Sequence, residues 1–182
     1  MRLAKKHPLF VRWAHWINFP LLAIMIWSGI LIYWAWPAYA PVKLPQTVWR
    51  AVHVNNRLAE GMALHFFFMW PFAINGILYV LYLLVSGEWR KGKTKFNPTQ
   101  RLAYVGVTLM GLGSLVSGLA IYKPVQFAWL NTLMFGYQGA RFVHFWLTMG
   151  YIGFFFIHVI QVIRAGWNNF RSMVTGVEVV HD

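Results

Sequence analysis

The stretch Arg141-Phe-Val-His144-Phe-Trp-Leu-Thr-Met-Gly-Tyr-Ile-Gly-Phe-Phe-Phe-Ile-His158 decides how this chain folds. No formal charge falls between its two histidines, and the uncharged run continues from Phe142 to Ile163. That is long enough to cross about 30 Å of hydrocarbon. A backbone in lipid must satisfy its own hydrogen bonds, so the segment is expected to be helical despite its aromatic and β-branched residues. On a helix, a separation of 14 residues falls about 40° short of four full turns and rises about 21 Å. The two imidazoles therefore share one face at two levels.

Three more uncharged runs precede it: Trp13 to Trp36, a run within Gly61 to Gly87, and Leu102 to Tyr122. With their flanks, the four spans are expected at about 11–36, 61–86, 101–122 and 140–164. Residues 1–182 read as one integral membrane domain of the all-α class, a four-transmembrane-helix bundle. The first run is too long for the core of a signal peptide and is expected to remain as a span. Pro20 and Pro71 lie inside spans one and two and each removes a ladder bond, so a kink is expected at both. Of the 182 residues, 59% are hydrophobic and only 11% charged, which a soluble domain of this size could not hide. No internal repeat is evident.

The net charge of +12 does not point to nucleic acid. Its basic residues sit at the ends of apolar runs, where they set topology and meet anionic lipid. Eleven fall on one side: Arg2, Lys5, Lys6, Arg12, Arg90, Lys91, Lys93, Lys95, Arg101, Arg164 and Arg171. Five fall on the other: Lys43, Arg50, Arg57, Lys123 and Arg141. The asymmetry places both termini in the cytoplasm and the protein in the cell inner membrane. Trp34, Trp36 and Tyr39 stand where an interfacial aromatic belt is expected. Pro45 to Glu60 suits a short surface helix, and Pro124 to Ala140 an outer loop. The absence of cysteine excludes disulfides, iron–sulfur clusters held by thiolates and covalent c-type haem.

Seven histidines are present. His7 and His181 lie near the termini and are expected to be solvated, and His53 falls in an outer loop. His15, His65, His144 and His158 lie within or at the edge of spans, where an ionisable group is costly and marks function. Span directions put His15 and His158 near the inner face, and His65 and His144 toward the outer face. Two haems stacked across a bilayer need axial ligands in this pattern. Depth pairs His15 with His158 for an inner haem and His65 with His144 for an outer one. A zinc site would need its histidines together, and a di-iron bundle would need glutamates at span centres, which Glu60, Glu88 and Glu178 do not supply.

Two glycines suit haem clearance. Gly29 stands 14 residues after His15 on the same face, and Gly76 stands 11 after His65, about 20° off its face. Plain helix packing explains the same glycines. Arg12 and Arg141 each lie three residues before a proposed ligand, where they suit anionic propionates or simply flank a helix. Span three has no histidine, and its Gly106, Gly111, Gly113 and Gly118 would allow close packing.

The segments Arg12-Trp-Ala-His15-Trp-Ile-Asn18, Glu60-Gly-Met-Ala-Leu-His65-Phe, Lys95-Phe-Asn-Pro-Thr-Gln100, Ser117-Gly-Leu-Ala-Ile-Tyr122-Lys-Pro and Arg141-Phe-Val-His144, together with His158, carry a family resemblance. The chain resembles the di-haem cytochrome b membrane subunits of bacterial thiosulfate reductase, NiFe hydrogenase and formate dehydrogenase, and around His65 the thiosulfate reductase branch most. The resemblance implies haem ligands on spans one, two and four, with two on the fourth. It implies a membrane quinone and a catalytic oxidoreductase subunit carrying molybdenum, iron–sulfur or nickel–iron centres as partners. On this reading the chain is an electron-transfer subunit with no catalytic residue of its own. A quinone pocket is placed near His15, Asn18 and Lys95 at the inner face, with the outer face as the alternative. Two rival readings stand beside it. One is a self-sufficient membrane oxidoreductase that passes electrons between quinone and a small oxidant such as superoxide. The other is a haem-free anchor or transporter.

Overall fold

The computed structural model describes residues 1–35, 43, 45–54, 56–88, 90 and 98–180, without the side chains of Gln46, Trp49 and residues 98–100. Trp36, Tyr39, Lys91, Lys93, Lys95 and His181 lie outside the described residues.

Among the described residues, six helices and two short strands follow in the order β1 (Arg2–Lys5), α1 (Leu9–Tyr33), α2 (Gln46–Ala51), α3 (Leu58–Ser86), α4 (Pro98–Tyr122), α5 (Ala128–Leu133), α6 (Tyr137–Thr175) and β2 (Val177–Val180). Helices α1, α3, α4 and α6 are long and apolar enough to cross a membrane. The helix assignment runs unbroken through Pro20 and Pro71. The apolar side chains point outward: Phe67 is 70% exposed, Ile163 73% and Val85 89%. Water would not tolerate such a surface, and lipid tails match it. The class is thus all-α with four transmembrane helices.

The chain packs as two compact units, one formed by Ala14–Leu78 and the other by Met1–Trp13 with Tyr79–Asp182. In the first, Gly61 brings α3 close against Leu31 and Ile32 of α1; a Cβ there would lie 2.8 Å from that of Leu31. Only glycine permits this approach. At the same end, the guanidinium of Arg57 donates to the Glu60 carboxylate and lies over the Trp27 ring. The surface helix expected within Pro45–Glu60 is confined to the six residues of α2, and by Leu58 the chain has entered α3.

In the second unit, α4 packs on α6 through its glycines. A Cβ at Gly113 would lie 3.0 Å from Leu147, and one at Gly111 3.2 Å from the Tyr151 hydroxyl. A Cβ at Gly106 meets nothing within 4 Å. The loop between α4 and α6 holds α5, whose Leu130 is buried with Ala120 and Ala140.

Helix α6 consists of two helical segments that meet at Gly166, close to the expected end of span four at about 164, and the second runs on to Thr175. It bends at Gly166, whose φ of 81° only glycine adopts readily, and stops at a left-handed Gly176. The chain then returns as β2 and pairs antiparallel with β1, Lys5 opposite Val177 and Arg2 opposite Val180. Both ends of the chain therefore lie on one side. His7 is not freely solvated; it is half-buried and its backbone N–H donates to the Gly176 carbonyl.

Candidate functional site

Each unit holds one histidine built into its helix packing in the same way. In the first, Ser28 of α1 is fully buried, and its Oγ lies 2.9 Å from Nδ1 of His65 on α3. In the second, Ser117 of α4 is fully buried, and its Oγ lies 2.9 Å from Nδ1 of His144 on α6. A glycine follows each serine, and the imidazole lies against it. A Cβ at Gly29 would meet His65 Cε1 at 3.7 Å, and one at Gly118 would meet His144 Cε1 at 3.4 Å.

The hydroxyl hydrogens are committed elsewhere. Ser28 Oγ is 3.1 Å from the Met25 carbonyl, and Ser117 Oγ is 2.7 Å from the Gly113 carbonyl. A carbonyl only accepts, so a serine that donates to its own helix can accept from the ring. With the hydroxyl hydrogen engaged in this way, the arrangement favours an imidazole proton on Nδ1. This tautomer leaves the lone pair on Nε2, the arrangement of a metal-ligating histidine whose other nitrogen donates to a fixed acceptor.

Within the first unit the other histidine stands at another level. Asn75 Nδ2 donates to the Ala14 carbonyl at 3.0 Å, which sets His15 beside the Asn75–Gly76 turn of α3. Asn75 also reaches Asn18 Oδ1 at 3.5 Å, so Asn18, placed in a quinone pocket by sequence, is engaged in helix packing. A Cβ at Gly76 would meet no atom within 4 Å, so that helix face is open. His15 is half-buried with its ring edge-on to Trp16. His158, also half-buried, stacks on Phe154. His53 lies outside the spans, exposed, with Nδ1 3.0 Å from the Ala51 carbonyl.

The two arginines have local partners. Arg12 donates through Nη1 to the Val174 carbonyl and packs on Gly176, which ties it to the terminal turn; its Nε is buried without a hydrogen bond. Arg141 Nη1 donates to Gln138 Oε1 at 3.0 Å on its own helix. Sequence reasoning missed Ser28, Ser117 and Asn75. The signal for the serines was the Ser-Gly pair, present at 28–29 in span one and at 117–118 in span three.

These donors suit haem iron: imidazoles in apolar surroundings, oriented through Nδ1, beside glycine faces that add no bulk. The family model for prokaryotic cytochrome b561 matches residues 6–176. A relative from Azospira oryzae, named "Putative protein-methionine-sulfoxide reductase subunit YedZ1", is 30% identical over 181 aligned positions, covering 86% of this chain and 89% of the relative. No solved structure matches the chain. This integral membrane protein, a haem-dependent electron carrier, belongs to the prokaryotic cytochrome b561 family.

Proposed function

We propose that the chain is the membrane electron-transfer subunit of a respiratory oxidoreductase, carrying electrons through two b-type haems between the membrane quinone pool and a catalytic partner subunit. The observation that carries this reading is the repeated serine–imidazole contact, Ser28 with His65 and Ser117 with His144, which presents two Nε2 lone pairs from two different helices. A haem supplies one-electron uptake and release without proton or group transfer. This chain's own residues supply ligation, orientation and the exclusion of water.

The ligand assignment is His65 with His144 at one level and His15 with His158 at the other. It rests on span direction and on the 14-residue spacing within α6. Local packing supports two levels, since His65 adjoins Gly29 while His15 adjoins the Asn75–Gly76 turn. Gly29 and Gly76 are assigned to clearance of the haem that each helix does not ligate. Arg12 and Arg141 are assigned to propionate carboxylates; Arg141 would exchange its Gln138 partner for one. The protein is placed in the inner membrane as one domain with both termini cytoplasmic. The quinone is placed at the inner face near His15.

The name of the Azospira relative, a subunit of a putative protein-methionine-sulfoxide reductase, favours a reductase of that kind as the catalytic partner. Purified protein should contain two haems b per chain and show low-spin bis-imidazole spectra, with reduction by a quinol. Protein that binds no haem would sink the reading and leave the haem-free anchor. Oxidation by superoxide without any partner subunit would favour the self-sufficient oxidoreductase.

A further inference from the structure

The serine–imidazole contacts do more than place two side chains. Ser28 Oγ lies 2.9 Å from His65 Nδ1 and donates to the Met25 carbonyl at 3.1 Å, and Ser117 Oγ lies 2.9 Å from His144 Nδ1 and donates to the Gly113 carbonyl at 2.7 Å. In each case a hydroxyl passes the imidazole's proton density back to a helix carbonyl. Both serines are fully buried, so water does not compete. The two relays lie in different units and are built alike from the same dipeptide, Ser28-Gly29 and Ser117-Gly118. The serine oxygen faces Nδ1, and the glycine leaves room for the ring beside the helix.

An Nδ1–H that donates to a fixed acceptor makes its imidazole a more electron-rich ligand at Nε2. Such a ligand stabilises ferric over ferrous iron. We propose that Ser28 and Ser117 are positioning residues that lock His65 and His144 in the Nε2-ligating tautomer and lower the midpoint potential of the haem those two histidines hold. This rests on the assignment of His65 and His144 to one haem. The buried serine hydroxyl is thereby a potential-setting element, and its two copies act on a single redox centre.

The test uses purified haem-loaded protein in detergent, with Ser28→Ala, Ser117→Ala, Ser28→Thr and Ser117→Thr. Haem per chain, a spectroscopic redox titration and the low-temperature electron paramagnetic resonance of the ferric form are measured. Each alanine variant should keep both haems and raise one midpoint, the same one in both, by about threefold in reduced-to-oxidised ratio at the wild-type midpoint, as befits one modest hydrogen bond. The g-values of that haem alone should move, and threonine, which restores a hydroxyl, should return both readouts toward wild type. Unchanged midpoints and g-values with full haem content overturn the inference while the two-haem reading stands. So does a pair of variants that shift different haems, or a shift or haem loss in alanine that threonine leaves in place. Wild-type protein lacking two bis-imidazole haems sinks the underlying reading, and the inference with it.

Discussion

Lys6 and Glu178 form an ion pair of 2.6 Å that joins the two ends of the chain. Lys6 Nζ also donates to Asn169 Oδ1 at 3.0 Å, and Asn168 bonds both the N–H and the carbonyl of Val179. These contacts hold the β1–β2 ladder against the last turns of α6, beyond the bend at Gly166. An even number of spans returns the C-terminus to the side of the N-terminus, and this small sheet fastens them there.

Replacing Lys6 should loosen that fastening without disturbing the spans. The pair is partly exposed, at 22% and 31%, so solvent screens it. Lys6→Ala is expected to cost about 1 kcal/mol or less, with haem content unchanged. Thermal denaturation in detergent at low and high salt measures the effect, and the difference from wild type should shrink as salt rises.

Gly61 is a sharper case. Its absent Cβ leaves room for Leu31, which is fully buried, and for the backbone N of Ile32, which an added methyl would approach to 3.1 Å. Backbone cannot rotate away, so α1 and α3 must separate. Gly61→Ala should cost roughly 1–3 kcal/mol as overpacking. Gly76→Ala, with nothing within 4 Å, should change stability little if helix packing alone is at stake. A Gly76→Ala protein of normal stability that binds less haem would point to clearance.

Gly29 and Gly118 allow a graded test of the histidine seats. An alanine at Gly29 would touch His65 at an ordinary 3.7 Å, whereas one at Gly118 would press on His144 at 3.4 Å. Gly29→Ala should retain haem, Gly118→Ala should show a small spectral shift, and leucine at either position should displace the imidazole and lose a haem. Haem content and visible spectra of the four variants decide it. Full haem in both leucine variants would mean that the rings do not need these seats.

The span pattern was legible because lipid imposes one requirement along each run: about twenty uncharged residues that satisfy their own backbone. The placement of His144 and His158 on one helix was legible because both fall within a single uncharged run. The serine contacts were not, because Ser28 lies 37 residues from His65 and Ser117 lies 27 from His144. Only the packing of α1 on α3 and of α4 on α6 brings each pair together. The terminal sheet was hidden for the same reason. Four residues at each end carry no strand signal alone, and α6 was expected to finish before the Gly166 bend that brings β2 back to β1.

Orientation rests on charge asymmetry, and its test is independent of haem. A reporter enzyme active only in the periplasm, fused after Asp182, should be silent. The same reporter inserted between Lys123 and Pro124, in the outer loop, should be active. The opposite pattern keeps the depth pairing and exchanges inner for outer.

The ligand pairing makes the strongest demand. A six-coordinate haem with one imidazole removed keeps a single anchor, and the polar iron centre faces a cavity with nothing to satisfy it. That haem should be lost or turn high-spin while the other survives. His15→Ala and His158→Ala should therefore share one spectral phenotype, and His65→Ala and His144→Ala a second. Each should lower haem per chain from two toward one. His53→Ala should keep both, since His53 is exposed outside the spans with Nδ1 near the Ala51 carbonyl. The serine relays add a cross-check: the haem lost in His65→Ala should be the one whose midpoint rises in Ser117→Ala, although Ser117 and His65 sit on different helices. Haem content with redox titrations of these six variants decides the matter. If His15→Ala matches His144→Ala instead, the assumed direction of at least one span is wrong and the pairing falls.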